Sequence, residues 1–321
     1  MNKLEVVMYH YVRDLQNSRY PDIKGLDVHL FRKQLKYLKE NYTFVDLPQI
    51  LEAIYGGSKL PDNALLLTFD DGYIDHYTTV FPLLAAEGIS GLFAMSGKVV
   101  REQKVLDVNK IHYILASTPI EVVKKTLVDQ IQYYRMEDST IESIDELYEK
   151  YAKPNRFDSA DIIFVKRMMQ TVLPERIRNM IVDDMFGKFV SSNERSFATE
   201  LYMNLDHVRV MKKYNMHFSL HGYEHYWFDN LTEKQYKEDI NNALDVFEGI
   251  IDRNSWTFCY PYGASQDNLL EYCKSINCVA GFTVEARIAN LDRDNPLLIP
   301  RFDTNDYPPK CKLPKSKQII V

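Results

Sequence analysis

No stretch of this sequence approaches the roughly 20 apolar residues that a membrane-spanning helix needs, so a membrane span is not expected. The first ten residues, Met1 to His10, hold an apolar run too short for a secretory leader and interrupted by Glu5. These two absences give the expectation of a cytosolic protein. A basic excess is also missing: 39 Lys and Arg face 45 Asp and Glu, for a net charge of −6. No basic motif interleaved with aromatics offsets that balance, which argues against a nucleic-acid partner. The lysines between Lys310 and Lys317 read as a solvated end. Cysteine is sparse, with four residues (Cys259, Cys273, Cys278 and Cys311) all in the last quarter. In a reducing compartment they are free thiols, and the spacing of Cys273 and Cys278 does not fit a zinc-ribbon pair. Nothing in the sequence sets an oligomeric state.

What is present is an ordinary globular composition, 45% hydrophobic and 26% charged over 321 residues. That length allows one barrel-type domain or two smaller ones. Leu4–Tyr9 reads as a buried strand that delivers His10. Leu30, Phe31, Leu35 and Leu38 recur at helical spacing behind Asp27. Further on come a strand at 42–45, a helix at 47–55 that stops at Gly56-Gly57, and a strand at 64–69. A helix at 74–87 and a strand at 92–95 follow. This β-α-β-α-β order argues for parallel strands with helices outside. From about 104 to 203 the pattern becomes helical and charged. Its stripes (Val108, Ile111, Ile114, Leu115; Ile162, Val165, Met168, Met169) read as core, and Tyr133, Tyr134, Phe197 and Tyr202 need no role beyond packing. The barrel pattern then resumes, with strands near 217–220, 256–260, 278–283 and 297–301. The fold class read from this order is α/β, a barrel pattern in one domain over 1–321, interrupted by a helical insertion at about 104–203.

Three strand ends carry unusual residues. The first is Thr68-Phe69-Asp70-Asp71-Gly72, where a buried strand ends in two adjacent carboxylates. Charge at a sheet rim costs free energy unless a metal, a partner or a substrate compensates it. Asp-Asp-Gly is also good turn chemistry, and the segment alone leaves turn and site equally open. The second is His221-Gly222-Tyr223-Glu224-His225. Two imidazoles four apart share a face on a single helical turn and can share one zinc-class ion. Beside a strand-end acid pair, two His and one Asp leave coordination positions open, as hydrolytic sites need. The third is Tyr260-Pro261-Tyr262-Gly263, by itself an ordinary turn. In an α/β barrel the functional face lies at the C-terminal ends of the strands.

In this order the three motifs resemble the polysaccharide deacetylase (NodB-homology, carbohydrate esterase 4) superfamily, over about 4–100 and 204–306. The resemblance implies a distorted (β/α)7-type barrel and metal-dependent removal of an N-acetyl or similar N-acyl group from an amino sugar, so the expected partner is an N-acylated saccharide. It makes Asp71, His221 and His225 the ligands of one divalent metal, zinc first, with Co, Ni or Fe as alternatives. Asp70 becomes the general base, and Tyr260 and Tyr262 the substrate and oxyanion residues. Two departures stand out. Many members carry an arginine where this chain has Cys259, and Arg301 is the candidate replacement, against a merely structural arginine. No histidine follows His225 to act as the acid, which leaves His10, in a Met8-Tyr9-His10-Tyr11-Val12 stretch resembling the branch with an early acid histidine. The alternatives are a sugar-binding protein on an inactive barrel, a deformylase of a lipid-linked formamido sugar, and a phosphodiesterase. The last usually needs a second metal cluster, and none is seen. Glu102, Asp229 and Asp306 lie near the expected rims as solvated charges.

Overall fold

Every residue of Ala64–Phe69 is buried, which is the signature of a central parallel strand covered on both faces. The computed structural model describes residues 2–155 and 158–318. They divide into two units. The first takes Met1–Asp14, Gly25–Gln103 and Thr199–Val321; the second takes Leu15–Lys24 and Lys104–Ala198.

The first unit is built on a curled, mainly parallel sheet. Its strands are β1 (Lys3–Tyr9), β4 (Thr43–Phe44), β5 (Ala64–Phe69), β6 (Leu92–Met95), β7 (His217–Leu220), β8 (Trp256–Cys259), β9 (Cys278–Phe282), β10 (Ala289–Asn290) and β11 (Phe302–Asp303). A separate parallel pair is made by β2 (Val12–Arg13) and β3 (Leu26–Asp27). The order across the main sheet is β10-β1-β5-β6-β7-β8-β9, with β11 on β1 and β4 on β5. The β1–β10 pair is antiparallel. This is the distorted (β/α) barrel that the resemblance implied, with helices on its outer face.

Alternation along the strands sorts residues to the two faces. Leu65, Leu67 and Phe69 join the cluster that packs under the helices, with Phe31, Leu38, Ile240 and Leu244. Leu66 falls in the opposite cluster, with Leu4, Val6, Ala94, Cys259 and Phe282. The helix Val28–Asn41 starts where Asp27 accepts from the His29 N–H. The helix Glu233–Val246 starts at a capping box of Thr232 and Gln235, in which each side chain accepts the other residue's N–H.

Register aligns the ends of neighbouring strands at one rim. Tyr9 pairs with Phe69 and Phe69 with Phe93. Met95 pairs with Leu220, Leu220 with Phe258, and Cys259 with Phe282. The residues that follow these ends, His10, Asp70, Ser96, His221, Tyr260 and Thr283, are therefore brought to one edge by backbone pairing.

The second unit is helical, with a core that includes Ile111, Ile114, Leu127, Ile131, Val165, Met168, Met169 and Ile181. Of the two expected stripes, Val108, Ile111, Ile114, Val165, Met168 and Met169 are buried, and Leu115 and Ile162 are half-buried. The buried Lys110 is met by Asp107, Asp183 and Glu194. Tyr134 and Phe197 are buried, whereas Tyr133 is exposed. Among the described residues no helix is long and apolar enough to cross a membrane.

Candidate active site

Asp70 continues the alternation of Leu66 and Thr68, so its side chain turns toward the inside of the sheet. Its N–H donates to the Tyr9 carbonyl at 2.9 Å, extending the β1–β5 ladder one residue past the strand. Arg301 precedes β11, which lies on the other side of β1. Its guanidinium donates to both Asp70 oxygens, at 2.9 and 2.8 Å. The same group donates to Thr68 Oγ1 at 3.1 Å and to the Thr283 carbonyl at 2.8 Å. Asp70 and Arg301 are each 1% exposed. This is a buried bidentate pair, a form of carboxylate recognition that arginine alone supplies.

Asp71 departs from the strand. It has φ 75° and Gly72 has φ 70°, and two successive left-handed residues turn the chain sharply. The turn carries the Asp71 carboxylate to His221 and His225, whose Nε2 atoms both stand 3.3 Å from its Oδ1. Tyr73 donates its hydroxyl to the other oxygen, Oδ2. His221 Nδ1 is 2.6 Å from the Cys259 carbonyl. A carbonyl only accepts, so Nδ1 carries the hydrogen. In the neutral ring the Nε2 lone pair then faces a carboxylate, an arrangement that needs a proton or a cation between them.

The electrostatics agree with this division. Burial pushes Asp70 up, but Arg301, with help from His221 and His10, outweighs it and holds the carboxyl below its ordinary range. Burial also opposes the ionised form of Asp71, yet hydrogen bonds from His221 and His225 hold it well below that range. His221 is depressed by burial and raised further by Asp70 and Asp71, for a net rise. Burial prevails at His225, which moves down. Arg301 thus neutralises Asp70, and the Asp71 charge is left for the imidazoles and whatever they bind.

Asp71, His221 and His225 are buried and offer ligand atoms that all lie within 4.8 Å of one another. Donors about 2.0 Å from a tetrahedral ion stand roughly 3.3 Å apart, which matches the Nε2–Oδ1 distances of 3.3 Å. The residues fit a small divalent cation.

The polysaccharide deacetylase family model matches residues 186–281. The poly-β-1,6-N-acetyl-D-glucosamine N-deacetylase of Escherichia coli (strain K12) is 40% identical over 87 residues, 26% of this chain. The putative polysaccharide deacetylase YxkH of Bacillus subtilis (strain 168) is 29% identical over 99 residues, 30% of this chain. These segments are 12% and 33% of the two relatives' own lengths. The solved structure of IcaB from Ammonifex degensii superposes with a TM-score of 0.54 at 18% identity, covering 95% of this chain and 92% of that one. Over these segments the chain is similar to the polysaccharide deacetylases. The solved deacetylase PplD of Streptococcus pyogenes shares the fold, with a TM-score of 0.58 at 14% identity and 96% of each chain covered.

The histidine pair, which its spacing put on a helical turn, is not on one. Residues 221–225 form an irregular loop after β7, with φ 72° at Gly222 and φ 62° at His225. Tyr262 also lies in the left-handed region, with φ 58°. Its ring stands edge-on to His225 at 4.8 Å and stacks on Trp227 at 4.0 Å. Asp71, His225 and Tyr262 thus each carry a left-handed backbone, which costs about 1–3 kcal/mol apiece in a non-glycine residue. Tyr260 needs correction as a substrate-facing residue. It is fully buried, its ring lies 4.7 Å from Phe258, and its N–H donates to the Phe282 carbonyl. The strand alternation that turns Cys259 inward sends Tyr260 to the helix-covered core. His10 is half-buried at the end of β1. Of the rim acids, Glu102 accepts from the Tyr223 hydroxyl at 2.7 Å, and Asp306 accepts the Asp303 N–H at 3.1 Å.

Two further residues join the site that the sequence reading did not single out. Tyr73 stacks on Tyr11 at 3.9 Å while holding Asp71. His76 is fully buried, and its Nε2 lies 2.9 Å from the His10 carbonyl. Their positions, two and five residues past Asp71, were the only available signal. Burial pushes His76 from 6.5 down to about 4, so it is neutral in the fold. Below pH 6.5 the unfolded chain takes up a proton that the folded one refuses until about pH 4. Stability present above that window is therefore lost as pH falls through it, by up to about 3 kcal/mol. His76→Gln is expected to flatten this part of the acid dependence in urea unfolding measured from pH 7 to 4. An unchanged slope would assign it to another group.

Proposed function

We propose that this protein is a carbohydrate N-deacetylase, a hydrolase that removes an N-acetyl group from an amino sugar of a polysaccharide or glycan precursor. The observation that carries the reading is the Asp71, His221 and His225 cluster beside a second carboxylate clamped by Arg301. The name of the E. coli relative, a poly-β-1,6-N-acetyl-D-glucosamine N-deacetylase, supports the substrate class. Asp71, His221 and His225 hold one divalent cation, zinc first. When bound, such an ion polarises an amide carbonyl and acidifies water.

The protein's own groups then divide the work. Arg301 keeps Asp70 ionised, and Asp70 accepts the proton of the attacking water. Both Asp70 oxygens already take a guanidinium hydrogen bond, so the carboxylate is fixed in orientation and needs no rearrangement to act. The Tyr262 backbone N–H, set by the left-handed turn, donates to the oxygen that gains charge in the tetrahedral state. His10 delivers a proton to the departing amine. Its place follows from the ladder that aligns Tyr9 with Phe69, and His76 holds its carbonyl from behind.

The test is acetate release from N-acetylglucosamine oligomers by protein stripped with a chelator and reloaded with zinc. Release that disappears on stripping and returns on reloading is expected. A protein that takes up zinc and releases no acetate overturns the reading. His10→Ala is expected to lower kcat by about 10²–10⁴, with zinc content unchanged by elemental analysis. Wild-type turnover in that variant would remove His10 from the mechanism.

A further inference from the structure

The loop that carries both histidines has no regular structure of its own, so something else must set its shape. On one side, Ser96 Oγ donates to the His221 carbonyl at 2.9 Å. The Gly97 and Lys98 N–H groups donate to the Gly222 and Tyr223 carbonyls at 3.0 and 3.1 Å. On the other side stands one carboxylate. Asp239, on the helix Glu233–Val246, is 4% exposed. Its Oδ1 accepts the Tyr223 N–H at 2.7 Å and its Oδ2 the Glu224 N–H at 2.8 Å.

We propose that Asp239 is a positioning residue for the two imidazoles. It touches neither histidine and acts through the two peptide groups between them. A carboxylate has two acceptor oxygens and no hydrogen to donate when ionised, so it can satisfy two adjacent N–H groups at once. Those groups have no β-ladder partner, and burying them unsatisfied costs about 1–3 kcal/mol each. Gly222 marks how close the approach is. A Cβ there would lie 2.9 Å from Asp239 Oδ1, and its φ is 72°. The helix thereby fixes the span between His221 and His225, while Cys259 fixes the rotation of the first ring. Burial raises the Asp239 carboxyl to about 7 against the pull of the two N–H groups.

The inference rests on reading His221 and His225 as cation ligands. It is tested on the full chain by zinc competition against a chromophoric chelator at pH 8, where Asp239 is ionised. Asp239→Asn keeps the volume but turns an NH₂ toward one of the two N–H groups. It is expected to weaken zinc binding by about 10–100-fold, as loss of an outer partner does, and to lower kcat with little change in KM. Asp239→Ala is expected to do at least as much. Urea unfolding of both variants reports the structural part separately. Zinc affinity equal to wild type in Asp239→Asn, whatever its unfolding midpoint, overturns the proposal. A wild-type chain that takes up no zinc overturns the ligand reading beneath it, which is a different result.

Discussion

Arg301→Met is expected to destabilise the fold by about 3–5 kcal/mol, more than any other single change at the site. The reason lies in what is left behind. Arg301 is 1% exposed and gives four hydrogen bonds, two to Asp70, one to Thr68 and one to the Thr283 carbonyl. Methionine fills most of the volume but leaves the Asp70 carboxylate buried and uncompensated, against burial that already opposes its charge. Taking the other charge away as well should recover most of the loss. A buried ion pair replaced on both sides by neutral groups is often close to neutral in stability. Urea unfolding of Arg301→Met, Asp70→Asn and the double variant forms the cycle. A double variant less stable than Arg301→Met would show that the pair is not the source of the effect. Turnover of Arg301→Met should also collapse, because the group that fixes and ionises Asp70 has gone.

Arg301 also shows how far the site could be read from the chain. Its pairing with Asp70 was expected from a gap, the cysteine at position 259. The reason an arginine 231 residues away can fill that gap is the register. Strand β11 lies on β1 and β1 on β5, so the residue before β11 reaches the inside of the β5 end. Strand ends were legible because buried parallel strands are apolar runs, and polar residues that break such runs stand out. The loop after β7 was not. Two histidines four apart suggested a helical turn, but Gly222 and His225 take left-handed backbones that only the partners in space support. Tyr260 failed for a simpler reason: one residue of alternation separates the inside of the sheet from its helix-covered core. His76 lies in the segment 74–87 read as a helix and Tyr73 just before it, where a buried polar side chain has no periodic signature. The second unit includes Leu15–Lys24, far in sequence from its other helices, and no local pattern announces such a partnership.

The two adjacent carboxylates should fail differently when each is made an amide. Asp71→Asn is expected to weaken zinc binding at least about 100-fold. A lost outer-shell partner costs about 10–100-fold, and a direct ligand must cost more. The amide oxygen is a poorer donor than a carboxylate, and the two Nε2 atoms now 3.3 Å from Asp71 Oδ1 would lose the negative charge between them. Activity should return in part as zinc is raised. Asp70→Asn is expected to keep its zinc and lose kcat by about 10²–10⁴, the usual worth of a positioned base, with no recovery at high zinc. It should also unfold more easily, because the Arg301 charge is then buried with only an amide to meet it. Zinc titrations read by acetate release separate the two: a shifted midpoint for one variant, a lowered plateau for the other. If both variants merely shifted the midpoint, Asp70 would be a ligand or a support for the ligands. The proton would then have to leave by another group, and His10, half-buried at the end of β1, is the candidate.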